Sequence, residues 1–176
     1  AVALLAQHGP AVKVLAGGTD LLADLKFANA SHAPKVVVDI SRAQDLRGIE
    51  TTEQGLRIGA LVTHTEIMRS PVIRDLFPAL VDAAHTIGAV QTRNLGTLGG
   101  NLVTAVPSMD SGPTLVALDA IVTVAGSEGR RQMPLAEFFV GPRKTVLKPH
   151  ELLVEIIIPK ENVGKPAHFL KFGLRK

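Results

Sequence analysis

The chain has 176 residues, 46% of them apolar and 20% charged, with a formal net charge of +3; that is enough for one sizeable core, or for two small lobes sharing a ligand. The absence of cysteine excludes disulfides and thiolate ligands for zinc or an iron–sulfur cluster. Six Phe, no Tyr, no Trp and no long basic run argue against a nucleic-acid module, and no apolar stretch approaches the roughly 18 residues of a membrane span. The N-terminus carries no signal-peptide pattern, so a cytoplasmic location is expected. The chain starts without Met inside a helical segment and stops on a strand-like one at Leu174-Arg175-Lys176, and it reads as a fragment truncated at both ends.

Residues 1–6 have helical propensity and are stopped by Gly9-Pro10. Residues 11–15 predict a short apolar strand running straight into Gly17-Gly18. Leu21, Leu22, Leu25 and Phe27 then predict a brief amphipathic helix, and residues 35–40 a buried, β-branched strand. This βαβ order favours a parallel pair with a right-handed crossover. Hairpin-like segments follow at residues 46–50 and 55–59. Thr63 is placed to cap a helix holding Glu66, Ile67 and Met68, and Ser70-Pro71 to start another. Residues 76–87 predict a small apolar helix leading to a second glycine pair, Gly99-Gly100. Beyond it come a strand at 117–125, a turn at Gly126-Ser127-Glu128-Gly129, a short helix at 134–139 and strands at 152–159 and 168–174. The fold class is therefore α+β in two lobes, a βαβ lobe over residues 1–60 and a mostly antiparallel α+β lobe over 61–176, with the glycine pairs near their seam.

Two glycine pairs in one small chain suggest backbone N–H groups gripping a long anionic ligand from two sides. Either pair alone reads more simply as a tight turn. Neither matches the dinucleotide fingerprint G-x-G-x-x-G or a Walker A loop. Thr97 and Asn101 flank the second pair and add hydroxyl and amide groups. Asp110, in a Pro/Gly-rich turn, either accepts from sugar hydroxyls or caps the next helix. Arg93 either pairs with phosphate or is a solvated charge. His8, His32, His64, His85, His150 and His168 show no metal-binding spacing, and His64 reads as a helix-cap or surface residue. Ser108 and Ser111 lack a nucleophile elbow. Residues 135–139 read as core packing, and Asp82 with His85 as a solvated helical pair.

Ala16-Gly17-Gly18-Thr19-Asp20-Leu21, Thr92-Arg93-Asn94-Leu95-Gly96-Thr97-Leu98-Gly99-Gly100-Asn101-Leu102 and Asp110 together resemble the FAD-binding (medium) subunit of the molybdenum hydroxylases, the xanthine dehydrogenase and carbon monoxide dehydrogenase flavoprotein family. The segments 58–64, 138–145 and 151–159 resemble it too, so the likeness covers nearly the whole chain in order. It implies a two-lobed FAD-binding fold of the vanillyl-alcohol oxidase (PCMH) type, with the family's C-terminal domain missing here. It implies FAD contacts at Val14, Leu15, Ala16, Gly17, Gly18, Thr19, Asp20 and Leu21, at Ile87, at Thr97, Leu98, Gly99, Gly100 and Asn101, and at Asp110, Leu153 and Lys171. Family members often carry Tyr where Pro142 stands, so a ring contact there is lost. The resemblance implies an electron-transfer oxidoreductase component with no catalytic side chain and no metal of its own. Its partners would be a molybdenum-cofactor large subunit and a [2Fe–2S] small subunit, with NAD⁺, a quinone or oxygen as acceptor. A flavin-free scaffold or binding module keeping the fold is the alternative. Gly99→Val is expected to abolish flavin retention through a collision of its Cβ with phosphate.

Overall fold

A computed structural model of the chain describes residues 1–27 and 34–173; His32 and the strand end at Leu174 lie outside the described residues. Helix α1 (Val2–His8) ends at Gly9, whose φ of 54° suits a residue without a Cβ. Strand β1 (Val12–Leu15) pairs in parallel with β2 (Val36–Asp39), Val12 opposite Val36 and Leu15 opposite Asp39. Helix α2 (Leu21–Phe27) lies between them in sequence. The expected βαβ unit is present, but it is thinly covered. No residue of α2 is buried, and in β2 only Val38 is. The amphipathic stripe of α2 leaves Leu22 and Phe27 exposed.

The main sheet is antiparallel and has the order β3-β4-β9-β5-β6. Its strands are β3 (Ile49–Thr52), β4 (Gly55–Gly59), β5 (Ile121–Gly126), β6 (Gly129–Pro134) and β9 (Leu152–Pro159). The hairpin β3–β4, grouped with the first lobe by its place in the sequence, is hydrogen-bonded into this second sheet. The sheets therefore divide before Ile49, not at residue 60. Into the main core with the sheet pack α3 (His64–Arg69), α4 (Pro71–Leu76), α5 (Pro78–His85), α7 (Leu98–Thr104), α8 (Ser111–Ala117) and α9 (Leu135–Phe138), while α6 (Val90–Leu95), with no buried residue, lies against α3. A small ribbon of β7 (Phe139–Gly141) and β8 (Lys144–Thr145) follows α9.

Local chemistry explains several boundaries. Thr63 and Glu66 form a reciprocal capping box on α3: Thr63 Oγ1 accepts from Glu66 N at 3.2 Å, and Glu66 Oε2 accepts from Thr63 N at 2.7 Å. Ser70 caps α4, with Pro71 at the first helical position. Leu135 and Phe138 are core residues, as expected. Over the described part of the expected 168–174 strand none is formed, since residues 165–173 pair with no strand. No helix among the described residues is long and apolar enough to cross a membrane.

Strand β9 joins the two halves. Opposite Thr123 and Val124 its register skips Val154, a bulge that reverses the side-chain alternation. Leu153 thereby shares a face with Ile156 and Ile158 in the main core, while Leu152 and Val154 turn to a second cluster with Leu5, Val12, Val38, Ile40, Leu46 and Leu61. Both faces of β9 are covered, as its almost unbroken run of apolar residues requires.

Candidate functional site

The segment linking β1 to α2 is the first glycine pair. The β1–β2 ladder closes where Ile40 N donates to Leu15 O, and the next amide used as a donor is Leu22, bonded to Gly18 O. Among the described residues the backbone N–H groups of Ala16, Gly17, Gly18, Thr19 and Asp20 have no acceptor. A run of unpaired N–H groups at a turn is a concave anion site. Gly18, with φ of 77°, supplies the left-handed residue that bends it.

The second glycine pair is not a loop. The turn lies at Gly96-Thr97, and Gly99 and Gly100 occupy the first turn of α7. Gly96 N donates to Thr92 O, Gly99 N to Ala60 O, Gly100 N to Thr97 Oγ1 and Asn101 N to Thr97 O. These amides are engaged within the protein, so the donors open to an anion come chiefly from the first segment. The expectation that both glycine pairs present backbone donors is corrected by this bonding.

The glycines themselves answer to packing. A Cβ on Gly17 would stand 1.9 Å from Leu95 O and 3.1 Å from Gly96 Cα, so the two segments touch backbone to backbone. A Cβ on Gly99 would meet Ala60 Cβ at 2.7 Å and Ala60 O at 2.8 Å. The expected collision of a Gly99 side chain with phosphate is thus replaced by a collision with the protein's own β4–α3 connection.

Where the segments meet they enclose a cavity of about 310 Å³, within the range of small-molecule sites. Val14, Ala16, Gly17, Gly18, Thr19, Asp20 and Leu21 line it from one side. Ile87, Thr97, Gly99, Gly100 and Asn101 line it from the other, with Leu153 of β9 on a third wall. Four expected site residues do not line it. Leu15 precedes the turn, and Leu98 is sealed in the main core. Asp110 and Lys171 pair with each other at 2.8 Å. Arg93 is not simply a solvated charge: its Nη1 donates to the carbonyls of His85, Ile87 and Gly88, closing the end of α5.

Two titratable groups on the cavity wall are absent from the expected site. Glu151 receives Arg131 Nε at 2.9 Å, Arg131 Nη2 at 2.7 Å and the Lys148 amide at 2.9 Å. The guanidinium, with the amide assisting, holds its carboxyl at about 2. His64 is 2% exposed, and its Nδ1 is sealed from solvent without a partner. Burial pushes its imidazole down to about 4, opposed by Asp110 and reinforced by Arg93. A lone histidine one residue past a helix cap gives no sequence signal of burial; only the closure of Gly96 over its backbone, His64 N to Gly96 O at 3.2 Å, sets it inside. Among the described residues no three His, Asp or Glu side chains gather in a metal-binding group.

The family profile for the FAD binding domain in molybdopterin dehydrogenase matches residues 1–161. The nicotinate dehydrogenase FAD-subunit of Eubacterium barkeri is 38% identical over 166 residues, covering 93% of this chain and 55% of the relative. A solved structure of carbon monoxide dehydrogenase from Hydrogenophaga pseudoflava, which lacks the Mo-pyranopterin moiety of the molybdenum cofactor, superposes with a TM-score of 0.86 at 36% identity, over 90% of this chain and 55% of that one. Quinoline 2-oxidoreductase from Pseudomonas putida 86 superposes with a TM-score of 0.84 at 30% identity, over 90% of this chain and 55% of that one. The chain thus spans about half the length of the curated relatives it matches.

Proposed function

Because the chain belongs to the family of FAD-binding domains of molybdopterin dehydrogenases, we propose that the cavity between its two glycine-bearing segments holds FAD, with the diphosphate on the amides of residues 16–20. The observation that carries this reading is the row of five N–H groups without acceptors, set on the wall of an otherwise partly apolar cavity. Donors that no protein group satisfies suit a multiply charged anion, and the fit extends to the rest of the cofactor. Ile87, Val14 and Leu153 give apolar surface for an aromatic ring system. Thr19 contributes a hydroxyl. Asn101 keeps its amide nitrogen for the ligand, since its Oδ1 already accepts from Ser111 Oγ at 2.6 Å. Thr97 serves chiefly by capping α7 and holding the wall in place.

Bound there, FAD would supply the redox chemistry, taking electrons from the [2Fe–2S] clusters of a small subunit fed by a molybdenum large subunit and giving them to NAD⁺, a quinone or oxygen. This chain's residues bind and orient, and none is required as an acid or base. A cytoplasmic setting and kinship with the vanillyl-alcohol oxidase (PCMH) fold belong to the same reading. The test is equilibrium dialysis of the cofactor-free protein with FAD, followed by competition. Retained flavin absorbance, displaced by ADP but not by adenosine, is the expected result. A protein that stays colourless in excess FAD, or whose flavin ADP does not displace, overturns it.

A further inference from the structure

Resting on that reading of the cavity, we propose that His64 is an additional binding residue, whose Nε2–H donates a hydrogen bond to the diphosphate held by the amides of residues 16–20. The imidazole lines the cavity and is 98% removed from solvent; its Nδ1 is sealed without a partner, and Nε2 makes no side-chain hydrogen bond among the described residues. Burying an imidazole with little to bond is costly, and Nε2, the nitrogen that is not sealed away, is the one a molecule entering the cavity can reach. Its placement supports this. A Cβ built on Gly96 would lie 3.4 Å from His64 Cδ2 and 3.4 Å from Thr19 Oγ1, so the Cδ2–Nε2 edge of the ring sits where the first glycine segment meets the second. The opposite nitrogen, Nδ1, is the one sealed away.

The ring is also held firmly. Its backbone is fixed by the bond from His64 N to Gly96 O and by the Thr63–Glu66 capping box immediately before it. The charged groups acting on it are Asp110 and Arg93, and both are committed elsewhere, to Lys171 and to the end of α5. Burial keeps the imidazole neutral near pH 7. With no acceptor at Nδ1, the proton belongs on Nε2, where a phosphate oxygen can receive it.

The test measures affinities of the cofactor-free protein for FAD, ADP and riboflavin by calorimetry. His64→Ala is expected to weaken FAD and ADP roughly tenfold or more, the scale of a hydrogen bond to a charged group, while leaving riboflavin unchanged. His64→Gln, whose amide nitrogen can stand where Nε2 stood, should recover most of that loss. Unchanged ADP affinity in the alanine variant, or an equal loss for riboflavin, overturns the assignment. If the alanine variant does not fold, nitrogen-15 NMR of the wild-type imidazole decides. A protonated Nε2 whose signal moves on adding ADP supports the bond, and a signal that ADP does not move overturns it. A wild-type protein that binds neither FAD nor ADP sinks the parent reading; one that binds both as tightly as His64→Ala does sinks only the role of His64.

Discussion

At Gly17 a single methyl group would reach within 1.9 Å of Leu95 O, and at Gly99 one would reach within 2.7 Å of Ala60 Cβ. The neighbour is backbone or a short side chain in each case, so neither contact can relax by a rotamer change. Gly17→Ala and Gly99→Ala are each expected to cost about 1–3 kcal/mol or more in the cofactor-free protein, a fall in melting temperature of several degrees. Calorimetry without flavin checks this. A variant that melts like wild type and only fails to retain flavin would return the glycines to a purely ligand-facing role. His64 gives a second residue-scale expectation. Its folded pKa of about 4 lies below the unfolded 6.5, so between those values the unfolded chain takes up the proton first. Stability is full above pH 6.5, falls as pH drops to 4, and levels off below that, a loss on the order of 3 kcal/mol. The urea midpoint of His64→Gln should lack this part of the pH dependence.

Among the elements, β6 and the turn before β9 depend on one ion pair. Glu151, whose side chain is 7% exposed, ties Arg131 of β6 to residues 148–151, and its carboxylate is held at about 2 against an ordinary 4.5. A depressed acid stabilises the fold above its unfolded pKa and loses that contribution as pH falls from 4.5 to 2. Glu151→Gln should therefore lower the melting temperature at pH 7 and flatten the acid limb of the profile in that window. An unchanged acid limb would place the stabilising charge elsewhere. The bulge in β9 is the other element-scale device. By skipping one residue it lets Leu153 face the main core and the cavity while Leu152 and Val154 grip the β1–β2 unit.

For the whole molecule, two clusters of buried side chains meet on that one strand, so the parallel pair is not expected to melt by itself. Leu5 of α1 is 1% exposed, lies in the smaller cluster and is off the cavity wall. Leu5→Ala is expected to cost about 2–5 kcal/mol and to move a single calorimetric transition downward as a unit. Two resolved transitions, only one of them shifted, would show that the β1–β2 unit folds separately.

The sequence by itself determined the local pieces: the strand running into Gly17-Gly18, the capping signals at Thr63 and Ser70, the β-branched run of β9 and the motif pattern that marks the family. Each is set by contacts between residues near in the chain, which periodicity and turn chemistry report directly. Only the tertiary structure decided that the 49–59 hairpin joins the larger sheet, that Gly99-Gly100 is helical with its amides spent, that the amides of residues 16–20 remain free, and that His64 is buried beside them. Those outcomes depend on which distant backbone groups pair and which surfaces close together. Hydrogen bonds across tens of residues, such as Gly99 N to Ala60 O and His64 N to Gly96 O, leave no mark on the local pattern of the amino acids that make them.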